Sequence, residues 1–289
     1  MENYGKIFRE FRKDRGVSME KLGEGLISQT TLSDFETGKS AIPLHIFYEL
    51  LKRMNVTLQE FQHCVNEYEP TNFFKTLNLA KDCFDERDHQ VVKGLLLREK
   101  TNSLNTKSHY DRFNYLQLKA IISLAHVDEK LTFKEKKEIQ DYLFSIEKWT
   151  YNDLALYSNT MSSFNPEQII MLSQEMIKRA DYYNKIRENK KLVAQILLNS
   201  TNELLEHSKI EDAAFFNNQA DSLLTEENVY EKAICVFNKG VIDYARGRRD
   251  IGREKMEEAI KVFELARCYK IAQKFQDSYE KAVEIFEKS

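Results

Sequence analysis

The sequence predicts an all-α chain: a head of five short helices, then a long array of paired helices. Three observations predict it. Apolar residues recur at helical spacing along almost the whole length, with no convincing strand. The chain holds only 3 Pro and 9 Gly, and five of the Gly fall before residue 40. Turns are therefore concentrated near the amino terminus, and the remainder lacks the punctuation a β-protein needs. Near the other end one pattern occurs three times: Tyr230-Glu-Lys-Ala-Ile-Cys-Val-Phe237, Met256-Glu-Glu-Ala-Ile-Lys-Val-Phe263 and Tyr279-Glu-Lys-Ala-Val-Glu-Ile-Phe286.

Tyr4 to Arg15 reads as the first helix, with Ile7, Phe8 and Phe11 inward and Lys6, Arg9, Arg12, Lys13 and Arg15 largely outward. Gly16 stops it, because glycine takes the left-handed conformation that ends a helix. Ser18 caps a second short helix through Leu22, after which Gly23 and Gly25 break the chain. Ser28 caps a third and Gly38 ends it. Leu32 and Phe35 give this third helix one narrow apolar stripe, while Gln29, Thr30, Thr31, Ser33 and Asp34 point elsewhere. Short side chains that donate and accept along an exposed amino-terminal face suit the major groove of DNA. An ordinary capped surface helix would look the same in isolation, so its neighbours decide. Ile42-Pro43 starts a fourth helix with Pro at its first position and Leu44, Phe47, Leu50, Leu51 and Met54 inward. Thr57 with Glu60 is a capping box that opens a fifth, burying Leu58 and Phe61.

Residues 66–71, acidic and carrying Pro70, form the linker between a head at 1–65 and a helical domain at 72–289. In that domain Phe73, Phe74, Leu77, Ala80 and Phe84 make one stripe, and Tyr115, Leu118, Ile121, Ile122 and Ala125 make another. Thr132 with Glu135, and Asn165-Pro166 with Gln168, mark helix starts. Leu192, Ile196, Leu197 and Leu204 lie on a longer helix. In the recurring pattern Ala stands four positions before Phe, the small-then-large contact that lets paired helices pack closely in tetratricopeptide-type arrays. The copies are 26 and then 23 residues apart, less than the about 34 of a regular repeat, so the array is a degenerate solenoid. Arrays of this kind present a concave binding surface. Asn159, Asn199, Asn238 and Lys239, polar among apolar neighbours, are the candidate contacts there, with Phe237 beside them. An Asn amide both donates to and accepts from a peptide backbone. The alternative for each Asn is a helix end or a solvated face.

Composition excludes more than it suggests. The net charge is -3, and residues 1–65 carry nine Lys and Arg against nine Asp and Glu. The third helix contains Asp34 and no Lys or Arg, so one copy of the head has little electrostatic hold on phosphates and two copies on paired half-sites are expected. No early apolar run resembles a signal peptide and no stretch is long enough to span a bilayer, which predicts a cytoplasmic chain without membrane contact. Cys64, Cys83, Cys235 and Cys268 have no paired spacing and read as buried free thiols. His45, His63, His89, His109, His126 and His207 show no metal-binding spacing, and neither a phosphate-cradling Gly-rich loop nor G-x-S-x-G is present. Carboxylate pairs such as Asp128-Glu129 and Glu257-Glu258 read as solvated faces. No enzyme, cofactor or metal is expected.

The segments Arg12-Lys13-x-x-Gly16, Ser18-x-x-x-Leu22 and Leu32-Ser33-x-Phe35-Glu36-x-Gly38-Lys39 resemble the helix-turn-helix domain of the phage-repressor and Cro class. The resemblance implies an internal salt bridge between Arg12 and Glu36, with Ser28, Gln29, Thr30, Thr31, Ser33, Asp34 and Lys39 facing operator DNA. Two features depart from that class: Met19 stands where a phosphate-touching Gln is usual, and the segment from Ser18 to Glu36 is one residue shorter. With that shorter turn, Leu156-x-x-Asn159, Ile196-Leu-Leu-Asn199, Lys239-Gly240-x-x-x-Tyr244-x-x-Gly247 and the closing repeats, nearly the whole chain resembles the Rgg/GadR/MutR family of peptide-pheromone-responsive regulators. This implies quorum-sensing control of transcription by a short hydrophobic peptide contacting Asn159, Asn199, Phe237, Asn238 and Lys239. It also implies a homodimer through the C-terminal helices, with Val262, Phe263, Val283 and Phe286 as its apolar face, and RNA polymerase as a further partner. The competing reading is a DNA-binding regulator whose helical array recruits a protein partner and takes no peptide.

Overall fold

The computed structural model describes residues 4–66, 73, 75–80, 89–106, 108–124, 129–180 and 187–287. All regular structure among them is helical, and the chain divides into two compact units, Met1–Lys81 and Asp82–Ser289. Of the sequence expectations, those on 67–71, Phe74, Cys83, Phe84, Ala125, His126 and Asp128 lie outside the described residues.

The head is built from α1 (Tyr4–Asp14), α2 (Met19–Gly23), α3 (Gln29–Glu36), α4 (Leu44–Arg53) and α5 (Leu58–Val65). Local signals set most of these boundaries. Gly16 and Gly38 have φ of 64° and 75°, where a side chain would be strained. Ser18 Oγ accepts from the Lys21 amide and Ser28 Oγ from the Thr31 amide, each satisfying an otherwise unpaired first-turn donor. Thr57 and Glu60 form the reciprocal box. The core gathers Phe8, Leu22, Leu32, Leu50, Leu51, Met54, Val56 and Phe61, with Phe47 edge-on to Phe61 at 4.9 Å. Gly5 permits the crossing of α1 and α3, since a Cβ there would lie 2.0 Å from the Phe35 carbonyl oxygen.

Three expectations for the head are corrected. Pro43 has ψ of 142° and therefore caps α4 instead of forming its first turn. Leu44 and Leu58, expected inside, are 68% and 39% exposed; each opens its helix and lines a surface groove with Tyr4, Ile42 and Phe47. Arg12, expected outside, is buried.

The second unit contains α6 (His89–Thr106), α7 (His109–Ser123), α8 (Phe133–Ser145), α9 (Tyr151–Thr160), α10 (Pro166–Ala180), α11 (Arg187–Glu206), α12 (Ile210–Leu223), α13 (Val229–Ala245), α14 (Arg249–Leu265) and α15 (Tyr269–Glu287). Sequential helices pack as pairs, most closely α11 with α12 and α13 with α14. Thr132 and Glu135 start α8, and Asn165 and Gln168 bond reciprocally at the start of α10. Helix α7 is buried all round from Phe113 to Ile122, and the ammonium of Lys119 within it is matched by Glu135 at 2.9 Å. Tyr157, fully buried, shares hydrogen bonds with Ser173 and the Ile169 carbonyl, so no polar atom of that phenol is stranded.

The recurring pattern supplies the inner faces of the last three helices: Ala233, Ala259 and Ala282 are buried, as are Phe237 and Phe263. Phe263 packs against Tyr230 and Phe275, at 5.7 and 5.0 Å between ring centres. Of the expected apolar dimer face, Phe263 alone is withdrawn, because it is buried within the chain; Val283 and Phe286 are half-buried and Val262 is exposed. The thiols also differ from expectation. Among the three described cysteines only Cys235 is buried, its thiol pushed up to about 11 by burial, whereas Cys64 is half-buried and Cys268 exposed. Among the described residues no helix is long and apolar enough to cross a membrane.

Helices α13 and α14 touch backbone to backbone at Gly240 and Gly252. A Cβ on Gly240 would meet the Gly252 carbonyl at 2.8 Å, and one on Gly252 would meet the Gly240 carbonyl at 2.7 Å. Gly240→Ala is expected to force this pair apart at a cost of about 1–3 kcal/mol, lowering the melting temperature. Gly94→Ala, in the middle of α6 with open space around its Cβ, should instead stabilise by about 0.4–1 kcal/mol. Opposite signs in a thermal melt of the two variants would confirm the contact; equal effects would refute it.

Candidate functional site

Helix α3 is seated by Leu32, which is fully buried, and by Phe35, edge-on to Phe8 at 5.3 Å. That anchorage leaves Ser28, Gln29, Thr30 and Thr31 exposed on one side, with Ser33 and Asp34 half-buried and Lys39 exposed beyond Gly38. Ser28 and Thr31 are engaged with each other as part of the cap, their hydroxyls 2.7 Å apart. The side chains of Gln29, Thr30 and Asp34 have no hydrogen-bond partner within the chain among the described residues, so their capacity is available to an external ligand. Met19 packs against the head core. An apolar residue there holds α2 and leaves no polar group for phosphate at that position.

The orientation of α3 is held by a buried ion pair. Arg12 Nε lies 2.5 Å from Glu36 Oε1 and Nη2 lies 2.7 Å from Oε2, while Nη1 donates to the Val17 carbonyl at 2.9 Å. The two residues are only 8% and 5% exposed. The hydrogen bond that Arg12 donates to Glu36 raises the Arg12 guanidinium above its ordinary range, against the opposing effect of burial. A second strut, not foreseen from sequence, is Arg53 of α4, which donates to the carbonyls of Leu22 and Glu24 at 2.9 and 2.7 Å and fixes the turn that leads into α3.

Breaking the ion pair should be costly. Arg12→Ala leaves the Glu36 carboxylate buried without its partner and is expected to destabilise the head by about 3–5 kcal/mol. The joint change Arg12→Met with Glu36→Leu should recover most of that loss, since it removes the stranded charge. Urea unfolding of the single and joint variants measures the difference; a single variant as stable as wild type would exclude this role.

In the second unit the five ligand-contact candidates are dispersed. Asn159 is half-buried and donates to Gln117 Oε1 at 2.9 Å. Asn199 is exposed in the interior of α11. Lys239 is paired with Asp221 at 2.8 Å, where Lys232 also binds at 2.7 Å. Burial alone would raise the Asp221 carboxyl, but these two lysines hold it below the usual carboxylate range. Only Phe237 and Asn238 come together, on α13, in the wall of a cavity of about 350 Å³ between α11, α13 and α15. Asn238 is 2% exposed, and its Nδ2 donor has no partner among the described residues. A buried donor left unmade costs about 1–3 kcal/mol.

Sequence reasoning missed the opposite wall. Helix α15 contributes Lys274, Ser278 and Lys281 as well as Phe275, Ile285 and Phe286. The spacing of 274, 278 and 281 marks one helix face, but nothing local tells such a polar stripe from a solvated one. Among the described residues there is no cluster of His, Cys, Asp or Glu fit to hold a metal.

This architecture has close counterparts. The carboxy-terminal domain model of the HTH-type transcriptional regulator Rgg matches residues 93–277, and a helix-turn-helix model matches 8–61. The SHP pheromone receptor Rgg2 of Streptococcus dysgalactiae is 25% identical with a TM-score of 0.82, over 96% of this chain and 99% of that one. Two more distant structures share the fold. A PrgX/cCF10 complex is 14% identical with a TM-score of 0.71, covering 98% of this chain and 92% of that one. A bacterial peptide pheromone/receptor complex is 16% identical with a TM-score of 0.72, covering 98% and 99%. With the Rgg model spanning well over half of its length, the chain belongs to the Rgg family of HTH-type transcriptional regulators.

Proposed function

We propose that the protein is a sequence-specific DNA-binding transcriptional regulator controlled by a short hydrophobic peptide pheromone, and not an enzyme. The observation that carries the DNA half is the unpartnered polar face of Gln29, Thr30 and Asp34 on a helix clamped by a buried ion pair. The peptide half is supported by the likeness to Rgg2, an SHP pheromone receptor, and by a cavity holding an unsatisfied amide donor. In this reading the head spans residues 1–65 and the peptide-binding domain 72–289, with 66–71 as the linker. The head, neutral overall, reads DNA weakly as one copy, so a homodimer spans half-sites about 34–36 Å apart. Peptide then alters what the bound dimer does to RNA polymerase. Asn159, Asn199, Phe237, Asn238 and Lys239 are the proposed peptide contacts.

Base reading has a direct test in selection of preferred duplexes from a random pool by the full-length chain. Gln29 suits an adenine edge and Asp34 a cytosine amino group, each discriminating by about 1–3 kcal/mol. Gln29→Ala should therefore relax one half-site position. Lys39→Ala should weaken all duplexes alike and lower the salt slope by about 1. Unchanged selection by Gln29→Ala would remove that residue from the interface.

Peptide control is tested by reciprocity. A peptide that changes DNA affinity must have its own affinity changed by DNA by the same factor. Titrating the chain with the peptide encoded beside its gene, with and without the selected duplex, should give equal factors, and Asn199→Ala should reduce the response. Absence of any response in wild type would favour a protein partner instead.

A further inference from the structure

The cavity between α11, α13 and α15 has a chemistry that its packing does not explain. Its floor is hydrocarbon, from Leu205, Val241, Phe275 and Ile285. At about 350 Å³ it lies near the lower end of the about 300–1,000 Å³ typical of ligand pockets, room for part of a ligand and not the whole of a peptide. The Asn238 donor, buried and unmatched, asks for an acceptor. Along the rim, Lys281 is neutralised by Glu206 at 2.7 Å. Lys274, two turns before it on the same face of α15, is exposed and has no ion pair among the described residues. Glu206 is the only acid among the described lining residues, and Glu203 beside it also acts on Lys281, so of the two rim lysines it is Lys274 that stands without a counter-charge. A hydrocarbon floor, a hydrogen-bond donor and a free ammonium together describe the end of an apolar peptide chain.

We infer that this cavity receives the carboxy-terminal residue of the peptide, its apolar side chain on the floor, an oxygen of its backbone accepting from Asn238 and its free carboxylate facing Lys274. The inference rests on the peptide reading above and adds the direction in which the peptide lies. The opposite direction would bring an ammonium to Lys274, a like-charge contact. An interior peptide residue would leave Lys274 without an opposite charge. Because α15 supplies a wall of the site, occupancy is read directly by the last helix of the chain.

The probe is a synthetic library of octapeptides of Leu, Ile, Val, Phe and Gly, labelled at the amino terminus with fluorescein. Each is made as a free acid and as a carboxy-terminal amide, and binding to the full-length chain is followed by fluorescence polarisation. The acids should bind about tenfold or more tightly than their amides, the effect of one charge-assisted contact. Lys274→Gln, an exposed substitution, should abolish that difference while retaining the binding common to both forms. Asn238→Leu should weaken acid and amide alike yet melt higher than wild type, because it removes a stranded donor; a purely structural amide would melt lower. Equal binding of acids and amides by wild type overturns the inference and leaves the peptide reading intact. If no member binds, both are overturned.

Discussion

A carboxylate cannot be taken out of water alone, and the head is arranged around that constraint. Glu36 ends α3, and burying it against the core requires a cation delivered from another element. Arg12 meets it with two parallel hydrogen bonds, and its third nitrogen ties the pair to the Val17 carbonyl. One planar fork thus links α1, the turn before α2 and the end of α3. Planarity matters, since a bidentate contact fixes orientation as well as distance in a way a lysine would not. The exposed residues of α3 inherit their direction from this link.

The second unit is governed by how closely helices approach. Where Gly240 faces Gly252 the backbones touch, and around them Ala and Phe of the recurring pattern interlock. Close approach at α13 and α14 leaves α15 to pack across the edge of the pair, joined to α11 by the exposed Lys281–Glu206 contact and to α13 through Phe275 on Phe237. The gap that remains under α15 is the cavity. A unit that satisfies Lys119 with Glu135 and the Tyr157 phenol with Ser173 leaves two buried amide atoms unmatched among the described residues, Asn217 Oδ1 and Asn238 Nδ2, and the second of them lines the ligand-sized space. Such departures from internal consistency tend to collect at functional sites.

Much of the fold was legible because its signals are local. Ser18, Ser28, Thr57 and Thr132 cap helices through bonds to amides within three residues, and Gly16 and Gly38 end them through their own backbone angles. None of these depends on a distant partner. Arg12 shows where reading residue by residue misleads: its charge placed it outside, although it follows Phe8 by one helical turn and shares that buried face. Leu44 and Leu58 err the other way, apolar residues at helix starts that the core does not reach. Asn199 and Asn238 illustrate the limit. Both follow apolar runs, yet one is exposed and the other sealed.

By itself the sequence determined that the regular structure of the described residues is helical, where several capped helices begin and end, and which short polar side chains lie along α3. Those follow from capping chemistry, backbone preference and periodicity, which act over a few residues. Only the tertiary structure decided the bidentate geometry in which Arg12 meets Glu36, that Phe263 packs inward, and that Asn238 and Lys274 line one cavity. These depend on groups 12 to 36 positions apart meeting in space. No local pattern encodes such a meeting, because it is settled by how whole helices pack.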